Sequence, residues 1–161
     1  MKLFMYSFFV FTIASCAAKK DTTTTFDGTT DNSSASFSYK CTPCFGKCPY
    51  FSMDISGTTK IVIYKGKSNV TKVGTYTKTI NDDELAKLVK AFDDAMFFQM
   101  NDKYVSNVTD LPSRFVSYTN YGKMKNIEDM TGAPGQLRTL ERMLDDIANS
   151  EGWTQSDVSD Q

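Results

Sequence analysis

Three cysteines stand close together in the chain, Cys41, Cys44 and Cys48, in C-x2-C-x3-C spacing. Thiols spaced in this way can exchange disulfides, bind a metal cluster or form a structural bridge. Exchange chemistry requires the C-x-x-C pair to open a helix, whose N-terminus lowers the thiol pKa. Here Gly46 and Pro49 follow at once, and strand-like sequence comes next. We therefore interpret the cluster as structural and not as a redox centre.

The glycine within this cluster predicts the pairing. Gly46 lies between Cys44 and Cys48 and allows the tight turn that brings two Cα atoms within bridging range. An exported chain also meets an oxidising compartment, where a disulfide is the default. We expect a bridge between Cys44 and Cys48, with Cys41 as the alternative partner. The odd thiol either stays buried or pairs with another chain. A ferredoxin cluster would need a fourth thiolate, and the only other cysteine, Cys16, is assigned to lipidation below.

No other set of residues predicts catalysis or a cofactor. The chain has no His, which excludes Ser-His-Asp and Cys-His catalysis and any His-ligated metal site. Its 18 basic and 19 acidic residues form no strongly basic segment, so we expect no nucleic-acid partner. Tyr104 and Asp110 are the candidate polar site, because loop residues often carry function. The competing interpretation is a turn in which a side chain caps backbone amides. We predict no catalytic residue, no metal and no cofactor.

The first sixteen residues have the three parts of an export signal. Lys2 provides the positive start, residues 3–13 are mainly apolar, and Ile13-Ala14-Ser15-Cys16 resembles the bacterial lipobox. A membrane-spanning helix needs about 20 residues, so this apolar segment is too short to be one. The resemblance implies cleavage before Cys16 and lipidation of its thiol, with palmitate-type acylation of the new N-terminus. The alternative is an ordinary secretory signal with an incidental cysteine.

Composition divides the rest of the chain into a tether, one domain and a tail. Residues 1–15 are the signal peptide, and residues 16–38, rich in Thr, Ser and Asp, are predicted to be a flexible tether. Residues 39–153 have the size of a single domain. Residues 154–161 are predicted to be a disordered tail.

Hydrophobic periodicity predicts an α+β domain in the order β-β-β-α-β-β-α. Period-two patterns predict strands at residues 51–56, 60–65, 73–80, 114–121 and 123–129, the last two forming a hairpin around Gly122. The first helix begins after Asn81, with Glu84 completing a capping box, and the second begins near Pro134. We expect an antiparallel sheet of about five strands with both helices on one face. The wet face of the second helix is predicted to carry Arg138, Glu141, Arg142 and Asp145. Trp153 is predicted to fold back onto the core.

The segment Cys44-Phe45-Gly46-Lys47-Cys48-Pro49-Tyr50-Phe51 resembles the C-F-G-x-C-P-x-Y opening of an uncharacterised domain family. That family occurs in exported, lipoprotein-like proteins of Bacteroidetes-type bacteria. Weaker matches extend the resemblance over residues 41–148, among them Gly74, Phe97-Phe98, Tyr104, Thr109-Asp110-Leu111-Pro112, Gly122-Lys123 and Pro134. The chain departs from the pattern at Phe51, where the family has Tyr, and at the additional Cys41. The resemblance implies no particular activity.

These observations together predict a lipid-anchored cell-envelope protein whose domain acts as a non-enzymatic binding or interaction module. We expect it on the outer membrane, at the periplasmic or surface side. Its partner would be an envelope protein or a small ligand, contacted through the sheet face opposite the helices. The alternative function is an envelope thiol-disulfide or hydrolytic enzyme centred on the loop of Cys41, Cys44 and Cys48.

Overall fold

The computed structural model describes residues 31–107 and 110–156. The described elements, in chain order, are β1 (Ser36–Cys41), β2 (Tyr50–Ser56), β3 (Ile61–Ser68), β4 (Gly74–Thr79), α1 (Asp82–Asp94), a short 3-10 helix (Phe97–Gln99), β5 (Lys103–Tyr104), β6 (Arg114–Asn120), β7 (Lys123–Asp129), α2 (Gly135–Asn149) and β8 (Thr154–Gln155). The five strands and two helices expected from periodicity are all present.

The start of α1 is fixed by the predicted capping box. The Asn81 side chain accepts the Glu84 backbone N–H at 2.9 Å, and the Glu84 carboxylate accepts the Asn81 N–H at 2.9 Å. Two of the donors that a helix N-terminus leaves unpaired are therefore satisfied. At α2, Pro134 is the N-cap residue, as its lack of an N–H allows.

The sheet is larger than the sequence predicts and is not wholly antiparallel. Its eight strands lie in the order β5-β7-β6-β1-β2-β3-β4-β8, and β5 pairs with β7 in parallel. The prediction of about five antiparallel strands is therefore wrong in number and partly in direction. Two of the added strands, β5 and β8, are two residues long, too short to show any periodicity.

The third added strand, β1, begins inside the segment that composition assigned to the tether. Phe37 and Tyr39 of β1 are buried in the core, while Ser36 and Ser38 alternate with them on the other face. These serines give the segment the polar composition of a tether, although the strand is the central one that joins β2 to β6. The ordered domain thus begins before the predicted boundary at residue 39.

Both helices pack on one face of the sheet, as predicted. The apolar stripe of α1 (Leu85, Leu88, Val89, Phe92) and that of α2 (Leu137, Leu140, Leu144, Ala148) share one core with the inward residues of the sheet. Phe37 stacks on Tyr118 across β1 and β6, with ring centroids 4.8 Å apart. The described residues leave the opposite face of the sheet uncovered.

The C-terminal segment continues the domain beyond its predicted end. Trp153 is half-buried and its ring lies 5.5 Å from that of Tyr64, as expected for a residue that folds back onto the core. Thr154 and Gln155 then pair with β4 as β8, so these residues are not part of a disordered tail. Within the part of the chain that the structure describes, no helix is long and apolar enough to cross a membrane.

Candidate functional site

The cysteine loop follows β1 and contains the expected bridge. A disulfide joins Cys44 to Cys48, with the two Cα atoms 5.6 Å apart and Gly46 at the turn between them. Cys41 is a free thiol, and it is buried in the core at the end of β1. The predicted pairing is therefore confirmed, and the odd thiol is the one that stays buried.

Three neighbouring strands place a thiol, a guanidinium and a carboxyl side by side under α2. Cys41 of β1 is opposite Arg114 of β6, and Arg114 is opposite Asp129 of β7. The carboxyl of Glu141, on α2, lies over this row with its Oε2 4.0 Å from Nη1 of Arg114. On the next turn of α2, Asp145 accepts a hydrogen bond from the Tyr39 hydroxyl at 3.0 Å.

The prediction that Glu141 lies on the wet face of α2 is wrong. Glu141 is only 3% exposed and Asp129 only 7%, and each has one carboxyl oxygen, Oε1 and Oδ1 respectively, with no protein donor. The pKa of Glu141 is raised to about 8, first by burial and then by the Asp129 carboxylate, against the opposing charge of Arg114. A proton on Glu141 gives the pair the donor that its oxygens lack, since an un-ionised carboxyl donates one hydrogen bond.

The burial of Cys41 affects the reactivity of its thiol. Burial raises the pKa of the Cys41 thiol to about 11, although hydrogen bonding with Tyr39 lowers it. The nucleophile in disulfide exchange is the thiolate, and a thiol with so high a pKa is almost wholly protonated near neutral pH. Burial and the high pKa of its thiol therefore disfavour exchange between Cys41 and the neighbouring bridge.

The two residues of the predicted polar site lie in different local surroundings. Tyr104 lies in β5, and its hydroxyl accepts the backbone N–H of Asn101 at 3.1 Å. Asp110 is exposed and has a positive φ of 69°. Among the described residues no hydrogen bond joins the two side chains. The arrangement of Tyr104 fits a structural role in the loop that leads into the sheet.

A well-defined concavity lies elsewhere, between the end of α1 and the hairpin of β6 and β7. This hairpin cleft measures about 740 Å³, and its lining residues include Asp93, Phe98, Asp102, Tyr121, Lys123, Met124, Lys125 and Asn126. Asp93 accepts hydrogen bonds from two phenols, that of Tyr118 at 3.2 Å and that of Tyr121 at 3.1 Å. Lys125 donates to Asp102 at 2.5 Å across the cleft.

Two bulky residues at the rim of the hairpin cleft have left-handed backbone conformations. Tyr121 has φ 53° and Met96 has φ 53°, and each residue is 59% exposed. The turn at Tyr121 and Gly122 has positive φ at both positions, where Asn-Gly is the preferred pair. Such strain costs on the order of 1 kcal/mol and concentrates at functional sites. The hairpin predicted around Gly122 rests on the glycine of the turn, whereas the strained residue is Tyr121 before it.

The uncovered sheet face has a second concavity, a trough of about 560 Å³. Its floor is formed by small side chains of the central strands, and its sides by Ile61 and Ile63 of β3 and by Met124 of β7. These three apolar residues are 40%, 38% and 75% exposed. Met124 lines both the trough and the hairpin cleft, so the two concavities adjoin at β7.

The described ranges contain no group of three or more Cys, His, Asp or Glu side chains able to hold a metal ion. The signal sequence and Cys16 lie outside the described residues, so the lipid assignment stays a prediction. What the structure defines is a two-layer α+β domain with a disulfide loop, a buried carboxyl pair and two adjoining surface concavities.

The chain belongs to the family described as domain of unknown function DUF6438, whose model matches residues 35–148. The resemblance to an uncharacterised domain is confirmed at that level. The family match begins six residues before the predicted start at residue 41, at Ala35, which is the first buried residue of the described range. No curated protein matched the chain.

Proposed function

We propose that this protein is a lipid-anchored binding module of the bacterial cell envelope, which recognises another envelope protein through its uncovered sheet face. The observation that carries the proposal is the trough on that face. Ile61, Ile63 and Met124 stand exposed around a floor of small polar residues, Ser38 and Ser117 among them. Met and other apolar side chains are enriched at protein interfaces, so three exposed apolar residues that flank one concavity fit a contact surface for another protein.

The lipobox-like segment supports the location. Two or more acyl chains on Cys16 would hold the protein on a membrane, because each buried methylene contributes about 0.8 kcal/mol. A Cys16→Ser chain should lose palmitate labelling and leave the membrane fraction, while keeping the same domain. Membrane retention of the Cys16→Ser chain would contradict the anchor but not the binding surface.

Site-specific photo-crosslinking in cells tests the surface itself. A benzoylphenylalanine at Ile63 would project from the sheet face, and one at Arg138 would project from the exposed side of α2. We expect a discrete crosslinked protein from position 63 and none from position 138. Equal crosslinks at both positions, or none at position 63 in correctly localised protein, would contradict recognition through the sheet face.

A further inference from the structure

The outer edge of β7 is covered by a neighbouring strand over only two of its residues. β5 pairs with Glu128 and Asp129, and the backbone N–H of Glu128 donates outward to the carbonyl of Asp102 at 2.9 Å. Backbone groups alternate in direction along a strand, so the N–H and C=O groups of Met124 and Asn126 point outward as well. Among the described residues they have no hydrogen-bond partner, and both residues line the hairpin cleft.

This free edge runs beside a concavity with apolar and charged side chains. Phe98 is half-buried in the wall, and the exposed Met96 and Tyr121 stand at the rim. Lys125 is paired with Asp102, whereas the exposed Lys123 makes no ion pair with any described residue. The cleft therefore combines unpaired backbone donors and acceptors, an apolar wall and one free positive charge.

We propose that the β7 edge binds an extended peptide segment of the partner, which adds a strand beside residues 123–126. This inference rests on the proposed function and identifies the form in which the partner is bound. Outward groups on alternate residues match the hydrogen-bonding pattern of another extended backbone. The peptide's inward side chains would place an apolar residue against Phe98 and an acidic residue beside Lys123. Its outward side chains would lie next to Met124, at the end of the trough.

The geometry offers a matched pair of variants for this edge. Asn126→Pro removes the outward N–H without removing a hydrogen bond to β6, and proline is tolerated on an edge strand. Asn126→Ala keeps the N–H. Both substitutions remove the bond from the Ser117 hydroxyl to Asn126 Oδ1, at 2.8 Å, so that loss is common to the two variants. They differ in the backbone donor and in the fixed φ of proline, and the circular dichroism check and the N-methylated peptides separate these two effects.

A displayed library of random dodecapeptides, selected on the Cys16→Ser protein, provides the probe. We expect enriched peptides that alternate apolar and acidic residues with polar ones. Their binding should weaken at least about tenfold in Asn126→Pro and less than about threefold in Asn126→Ala. N-methylation of alternate peptide amides should weaken it similarly. The fold of each variant is checked by circular dichroism.

Two outcomes would overturn the edge proposal: no enrichment on the unaltered edge, or equal binding to the Asn126→Pro and Asn126→Ala proteins. The first outcome is the one expected if Lys123 only protects the edge from unwanted pairing. Ile63→Lys, in the trough, separates the two proposals. Peptides lost in Ile63→Lys but retained in Asn126→Pro would leave the binding module standing and transfer the contact to the sheet face.

Discussion

The buried pair of Glu141 and Asp129 makes the stability of the domain dependent on pH. Both side chains are shielded from water by α2, and they face Arg114 from β6, Asp145 from the next helical turn, and Tyr39 and Cys41 from β1. Only Arg114 in this group is a cation. The protein therefore favours a protonated Glu141, with its pKa raised from 4.5 to about 8.

The sign of the effect follows from proton uptake on folding. A carboxyl with a higher pKa in the folded state binds more protons there than in the unfolded chain, so rising pH favours unfolding. The stabilisation that comes from protonated Glu141 is fully present below about pH 4 and is lost as the pH rises through about 8. Each pKa unit corresponds to about 1.4 kcal/mol, so the upper limit is about 5 kcal/mol. We expect the free energy of unfolding to fall by about 2 to 5 kcal/mol between about pH 5 and pH 9.

Urea unfolding of the Cys16→Ser protein, followed by circular dichroism across this pH range, measures the slope. Glu141→Gln keeps the shape of the side chain and removes the titrating proton. In this variant the free energy of unfolding should therefore fall by less than about 1 kcal/mol between about pH 5 and pH 9. Glu151→Gln, at an exposed position, is the control and should keep the full slope. A free energy of unfolding that is flat or rising toward pH 9, or an unchanged slope in Glu141→Gln, would refute the argument that Glu141 is protonated in the folded domain.

Three further predictions concern packing, the free thiol and the hairpin turn. A Cβ at Gly66 would meet the carbonyl oxygen of Lys72 at 1.7 Å, so Gly66→Ala should lower the free energy of unfolding by about 2 kcal/mol or more, measured in urea. In the Cys16→Ser protein, a thiol reagent should find one thiol per chain, that of Cys41, and only after unfolding, because Cys41 is 4% exposed; rapid reaction in the native state would contradict its burial. Tyr121→Asn should raise the free energy of unfolding by up to about 1 kcal/mol, because Asn adopts positive φ with less strain and the lost bond to Asp93 is exposed. A lower melting temperature for Tyr121→Asn would show that this bond outweighs the strain.

The predictions that succeeded concern features encoded by neighbours in the chain. The capping box at Asn81 and Glu84, the tight turn between Cys44 and Cys48 and the two apolar stripes each involve residues a few positions apart. β1 was missed because its outward serines face solvent, and its inward residues are buried only once β2 and β6 flank it. Its position at the centre of the sheet depends on pairing across long stretches of chain.

The buried carboxyl pair shows why the candidate site was harder to predict than the fold. On α2 alone, Glu141 has charged neighbours at helical spacing and fits a solvated face. Its burial follows from packing against Arg114 and Asp129, which lie on β6 and β7 and so outside the helical pattern of α2. The hairpin cleft has the same origin, since it joins the end of α1 to a turn some twenty-five residues later. Residue type alone gave no indication that these groups would meet.

The surface around the outer edge of β7 combines an open strand edge with a strained turn, and each of these features is unfavourable by itself. An edge strand with unpaired backbone groups invites unwanted pairing, and proteins commonly cover such edges. β5 covers only the end of this one, and it does so through a parallel pair of two residues. The hairpin beside the open part places Tyr121 in a conformation that Asn would adopt at lower cost, and its ring stands at the mouth of the cleft with its hydroxyl on Asp93. An uncovered edge and a strained aromatic rim are each unfavourable for an isolated domain, and Lys123 beside them is a positive charge with no ion pair among the described residues. They occur together around one concavity, and an added strand from a partner would satisfy the backbone groups and the charge at the same place.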